Sequence, residues 1–170
     1  MSPSKTARSA LFTILSLALA ACGGGGDPIE ETNQGYAALG SGDAEGALDH
    51  FAQALGTLKP TDPDYDRARM GVIEAKIRLK LADAAQSFLA YAQEQPDKVD
   101  AGDYHKVGMQ LSESKALTDA VAVLDAGLKR FATDAKLKEA MDKTVAAAQQ
   151  SGDTSALDAL KGLGYVGGGD

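Results

Sequence analysis

The feature that most constrains this chain is a stretch that recurs. Residues 42–59, GDAEGALDHFAQALGTLK, carry apolar or small side chains at Ala47, Leu48, Phe51, Ala54, Leu55 and Leu58. Those positions form one stripe on a helix of 3.6 residues per turn. The stripe returns as Ala84, Ala85, Phe88, Tyr91 and Ala92, and again as Ala120, Val121, Leu124, Gly127, Leu128 and Phe131. A weaker copy reads Ala156, Leu157, Leu160, Leu163 and Gly164. The first residues of successive copies are 37, 36 and 36 positions apart. A step that constant means one unit used repeatedly, each unit needing its neighbour to bury its apolar face. The chain is a stack of helix pairs, and that architecture names no substrate.

Turn residues divide the rest. A first helix runs from Pro28 to Leu39, broken by Gly40, Ser41 and Gly42, and Asp43 is placed to cap the next helix. That second helix ends near Leu58, before Pro60 and Pro63. Asp62-Pro63 reads as a cap followed by proline at the first position of a third helix, which carries Val72, Ile73, Ala75, Ile77 and Leu79. A turn at 80–82 precedes a fourth helix, Ala84 to Glu94, closed by Pro96. A fifth covers Asp103 to Glu113 and a sixth Thr118 to Phe131. Asp134 caps a seventh, and a short eighth stops at Gly162. No strand alternation is present, so the fold class is all-α.

The start of the chain reads as an address. Lys5 and Arg8 precede an apolar run from Ala10 to Ala21, then Cys22. A run of about 12 residues is too short to span the ~30 Å core of a bilayer and suits a cleaved signal segment. Leu19-Ala20-Ala21-Cys22 resembles the lipobox of bacterial lipoproteins. That resemblance implies a signal peptide over 1–21 and diacylation of Cys22, which becomes the first residue of the mature protein. Gly23, standing where an Asp favours inner-membrane retention, implies the outer membrane with the domain facing the periplasm. Cys22 is the only cysteine, so no disulfide forms within the chain. Gly23 to Gly26 have no side chains to pack and read as a flexible tether, giving a 22–27 anchor and linker.

Charge excludes some partners. Lys5 and Arg8 are the only charged groups among the first 21 residues, so the remainder keeps 15 basic against 24 acidic side chains. Its net charge of −9 argues against nucleic acid and against an electrostatic hold on anionic lipid. The catalytic inventory is poor as well. His50 and His105 are the only histidines; they lie on different repeats, and no HExxH pair, GxSxG, phosphate loop or dinucleotide glycine motif occurs. The expectation is a non-enzyme with no cofactor and no metal.

The helix pairs, with small residues where neighbours meet, resemble tetratricopeptide repeats. The matching residues of the first repeat are Gly35, Gly42-Asp43, Ala47, Phe51, Ala54 and Pro60, the last one place late. The second offers Ala84, Phe88, Tyr91 and Pro96 but has Val72 at the small position. The third offers Gly108, Ala120, Leu124 and Gly127, with Ala132 replacing the closing proline. The resemblance implies a right-handed superhelix of antiparallel helix pairs over 28–163, three repeats and a degenerate capping pair. It further implies an inner groove, lined by the first helix of each pair, that holds a protein or peptide partner. Carrying over the position after Gly35 places Tyr36, Ile73, Met109 and Val145 on that wall, with Arg69 and His105 one turn earlier to orient the occupant. Packing between successive first helices is the alternative role of the four apolar residues. The 164–170 tail, with Tyr165 and Val166 among glycines, either folds back over the last pair or offers a short segment to a partner.

The functional expectation is a membrane-anchored, periplasmic adaptor or scaffold that binds protein and catalyses nothing. An accessory part of an outer-membrane, pilus or secretion assembly is one version of it. A lipoprotein holding a small molecule or glycan is the rival, disfavoured because Tyr36 is the lone aromatic at the groove positions.

Overall fold

A computed structural model describes residues 26–167. Cys22, the signal segment and most of the glycine tether lie outside that range, as do the last three residues. Among the described residues the fold is all-helical: α1 (Pro28–Ser41), α2 (Ala44–Leu55), α3 (Tyr65–Arg78), α4 (Ala84–Glu94), α5 (Ala101–Glu113), α6 (Leu117–Arg130), α7 (Ala135–Ser151) and α8 (Thr154–Gly162). A 3₁₀ turn over Pro96–Lys98 separates α4 from α5. Each helix packs substantially only on helices one or two places away in the chain. The elements are therefore stacked in order, with no closure of the last helices onto the first.

Aspartate caps set the helix starts. Asp27, Asp43, Asp134 and Asp153 each accept a backbone N–H from the first turn of the helix that follows. Asp100 and Asp103 form a reciprocal capping box that starts α5 at Ala101, two residues before the sequence expectation. The expected start of α3 at Pro63 is wrong by two residues. The Asp62 carboxylate turns back to accept the Lys59 N–H at 2.7 Å, closing a local turn, and the helix begins at Tyr65.

The first helices end alike. After α1, α3, α5 and α7 the chain reverses through one left-handed residue: Gly42, Lys80, Lys115 and Gly152. The next N–H donates back to Ala38, Lys76, Leu111 and Ala148 respectively, at 2.9–3.2 Å. This helix-ending turn favours glycine, because an L side chain in the left-handed region meets its own carbonyl. Two of the four positions are lysine.

Contact between helices depends on missing side chains. Phe51 of α2 lies between α1 and α3, so that a Cβ added at Gly35 would come within 2.6 Å of its ring and one at Gly71 within 2.4 Å. Leu124 of α6 presses on Gly108 of α5, where an added Cβ would meet it at 2.5 Å. Tyr104 of α5 covers Gly127 of α6 in the same way, at 2.8 Å. Gly71 is the small residue the sequence reading missed by looking at Val72. It serves Phe51, the phenylalanine of the preceding pair.

The buried side chains fall into two groups. Leu39, Ala44, Ala47, Phe51 and Ala75 form a small cluster in the first pair and α3. A larger cluster runs from Ile73 to Leu160 through Phe88, Tyr104, Leu124 and Met141. The division coincides with the longest connection between pairs. Residues 56–64 join α2 to α3, against 95–100 between α4 and α5 and 131–134 between α6 and α7. Accordingly α4 packs on α6 and α6 on α8, whereas α2 lacks equivalent packing on α4.

Chemical denaturation tests this packing and the helix-ending turns. Gly71→Ala should lower stability by roughly 1–3 kcal/mol, the usual range for overpacking a close contact. Helix propensity alone would instead raise it by about 1 kcal/mol. Gly40→Ala, in α1 with open space around it, should follow propensity and gain. Lys80→Gly and Lys115→Gly should each gain about 0.5–1 kcal/mol, as relief of left-handed strain exceeds the added freedom of the unfolded chain.

Candidate interaction surface

The six residues assigned to one groove do not share one surface. Ile73 is 2% exposed and belongs to the larger core cluster. Met109 and Val145 are half-buried and pack against the same cluster. These three therefore act chiefly in packing, because helical spacing that lines an inner wall also serves contact between helices. Tyr36 is half-buried on Phe51, edge to face with ring centroids 4.9 Å apart, and its hydroxyl donates to the Arg67 carbonyl at 2.9 Å. Burial raises its pKa, with Glu74 adding to the effect. His105 borders a hollow of about 360 Å³ between the starts of α5 and α7. Arg69 and Ile73 line one hollow together.

What the first helices present to one another is a polar ladder. Arg67 of α3 donates to Asn33 of α1 at 2.8 Å, and its guanidinium lies 5.0 Å from the Tyr36 ring centre. Arg78 donates to the Leu39 carbonyl at 2.7 Å and to Glu74 at 2.8 Å. Lys106 of α5 reaches the other oxygen of Glu74 at 3.0 Å. Partial burial is the largest single influence on Glu74 and pushes its pKa up. The bonds from Lys106 and Arg78 together outweigh it, so the carboxyl titrates below its usual 4.5. Beside this ladder, α3 and α5 enclose a hollow of about 310 Å³ edged by Arg78, Gln110, Glu113 and Ser114.

The opposite side of α3 forms the floor of a separate cleft, about 300 Å³, between α2 and α4. Leu55 and Ala90 stand at its lips, and Arg69, Val72, Ile73 and Lys76 line its base. Arg69 pairs with Glu94 at 3.3 Å, and its guanidinium lies 5.4 Å from the Tyr91 ring centre. The Tyr91 ring is buried, and its hydroxyl donates to Asp66 at 2.8 Å, which also faces Lys98 at 3.3 Å. Burial first, then the Asp66 carboxylate, push the Tyr91 phenol far above its ordinary value. Lys76 donates to Asp83 at 2.6 Å and to Ser87 at 2.9 Å.

His50 bonds Glu31 at 2.8 Å, tying α2 to α1. The tail folds back. Gly164 takes the left-handed conformation and the Tyr165 N–H donates to the Leu160 carbonyl at 2.9 Å. The Tyr165 hydroxyl reaches Asp125 of α6 at 3.4 Å, and Val166 packs against the main core. Among the described residues no group of three or more His, Cys, Asp and Glu is placed to hold a metal, and no helix is long and apolar enough to cross a membrane. No protein-family model matches the chain, and no curated protein or solved structure does.

Glu74 supplies a pH prediction. A carboxylate whose folded-state pKa is depressed stabilises the fold above its unfolded pKa, and that contribution disappears as pH falls through the folded value. Glu74→Gln should therefore lower the stability measured at pH 7, by roughly 1 kcal/mol on the scale of partly screened ion pairs. The gap between variant and parent should close as the pH is taken below 4.5.

Proposed function

We propose that this chain is a lipid-anchored adaptor of tetratricopeptide-repeat type, held at the outer membrane through Cys22 and binding a protein partner in the periplasm. In this reading the helix pairs coil into a right-handed superhelix, and the row of first helices forms its accessible inner wall. The observation that carries the reading is the stacking in chain order: a solenoid that never closes on itself leaves a continuous side of α1, α3, α5 and α7 for contact. The polar ladder revises the character of that wall, since its exposed groups are Asn33, Arg67, Arg78 and Lys106, with Gln110 half-buried beside them. A partner meeting them would be held by hydrogen bonds and charge more than by apolar burial. Anchoring confines the search for that partner to a layer beside the membrane and raises its effective concentration there.

Cys22→Ser tests the anchor. The variant should move from the membrane fraction to the soluble fraction, and its retention in membranes would contradict lipid attachment. Crosslinking in intact membranes tests the adaptor. It should yield a discrete complex with one protein, and the absence of any protein adduct would count against the reading.

A further inference from the structure

The cleft between α2 and α4 interrupts an otherwise repeated contact. Second helices pack on one another from α4 to α6 and from α6 to α8, whereas α2 packs on α3 and lacks equivalent packing on α4. What is left has apolar lips at Leu55 and Ala90 and two cations on its floor. Those cations lie deeper than the acids they pair with. The Arg69 side chain is 29% exposed against 61% for Glu94, and Lys76 is 20% exposed against 62% for Asp83. An incoming carboxylate can therefore displace each acid outward while the cation keeps its place. Arg69 is steadied by the Tyr91 ring and Lys76 by the Ser87 hydroxyl.

We infer that this cleft receives an acidic amphipathic helix of the partner protein, an inference that rests on the adaptor reading. Arg69 and Lys76 are seven residues apart on α3, two helical turns or about 10.5 Å along its axis. Two carboxylates seven residues apart on a helix lying along α3 have the same spacing and the same facing. An extended segment reaches about 10 Å in three residues, but those side chains point to opposite faces. The apolar stripe of the docked helix covers Leu55, Val72 and Ala90, and its carboxylates replace Asp83 and Glu94. The groups facing the occupant are thus Arg69 and Lys76 from α3, Glu94 and Ser87 from α4, Asp83 at the α4 cap, and Leu55 from α2. The net negative charge of the chain opposes an acidic partner only at short range, because screening limits it to about 8 Å at physiological ionic strength.

The test places a photo-crosslinking amino acid at Ala90, on the exposed lip, in the full lipidated chain, with a second probe at Gln110 on the first-helix side. The crosslinked peptide is sequenced by mass spectrometry. The Ala90 probe should capture a helical segment carrying Asp or Glu seven residues apart. Arg69→Glu with Lys76→Glu should cut its yield at least tenfold, and reversing the partner's two carboxylates to lysine should restore it. Should the reversed variant fail to fold by circular dichroism, Arg69→Gln with Lys76→Gln should give a smaller loss of about threefold. A basic or uncharged segment, a lipid adduct, or a yield indifferent to these substitutions overturns the inference. A protein captured at Gln110 but not at Ala90 removes the cleft and leaves the adaptor standing, whereas no protein at either probe removes both.

Discussion

The position of the Phe51 ring, held between the bare backbones of Gly35 and Gly71, governs how the first pair meets the second. Dispersion between one aromatic ring and two helices is strong only if all three approach closely. A single methyl on either glycine pushes the helices apart. The same device appears as Leu124 on Gly108 and as Tyr104 on Gly127. Four contacts of that kind, made by three side chains, explain why glycine, a poor helix former, is kept inside α1, α3, α5 and α6. They also explain how a chain without tryptophan and with few aromatics holds its helices together. Alanine and glycine supply the recesses, and a small number of large side chains supply the projections.

Much of the acidic character follows from the same architecture. The eight helices among the described residues need eight starts, and five of those starts take an aspartate side chain as cap. Other acids bond across elements: Glu31 to His50, Asp66 to Tyr91, Glu74 to Lys106 as well as to Arg78 within α3, and Asp125 to Tyr165 of the tail. The negative charge is distributed by local structural need. The cations at the base of the α2–α4 cleft depart from that distribution, since their own partners are the more exposed members of each pair.

The stripe of Ala47, Phe51 and Ala54 and its copies made the helix pairs readable from sequence, because a period of 3.6 within a step of 36 or 37 leaves little choice. The caps at Asp43 and Asp134 were readable for the same local reason. Surfaces were not. Ile73 and Tyr36 are equivalent in the repeat, yet one is in the core and the other hydrogen-bonds across to α3. A repeat frame fixes which helix a residue belongs to and roughly which way it points. The helices packed around it then decide what it faces. The 56–64 segment is three residues longer than its nearest counterpart, α2 lacks packing on α4, and Arg69 faces Glu94 and Tyr91 of α4. Gly71 escaped notice because the 37-residue step from the first copy to the second puts Val72, one place later, opposite Gly35. The backward bond of Asp62 was hidden because Asp-Pro reads equally well as a helix start.

The most direct test of the packing account is a double-mutant cycle on Phe51 and Gly71, read as unfolding free energies in denaturant. If the ring lies against the bare backbone, the cost of Gly71→Ala should fall by at least about 1 kcal/mol when it is made in the Phe51→Leu background, as expected for residues in contact. If the two substitutions simply add, within the roughly 0.5 kcal/mol typical of independent sites, the helices are not held at that distance by this contact and the account fails.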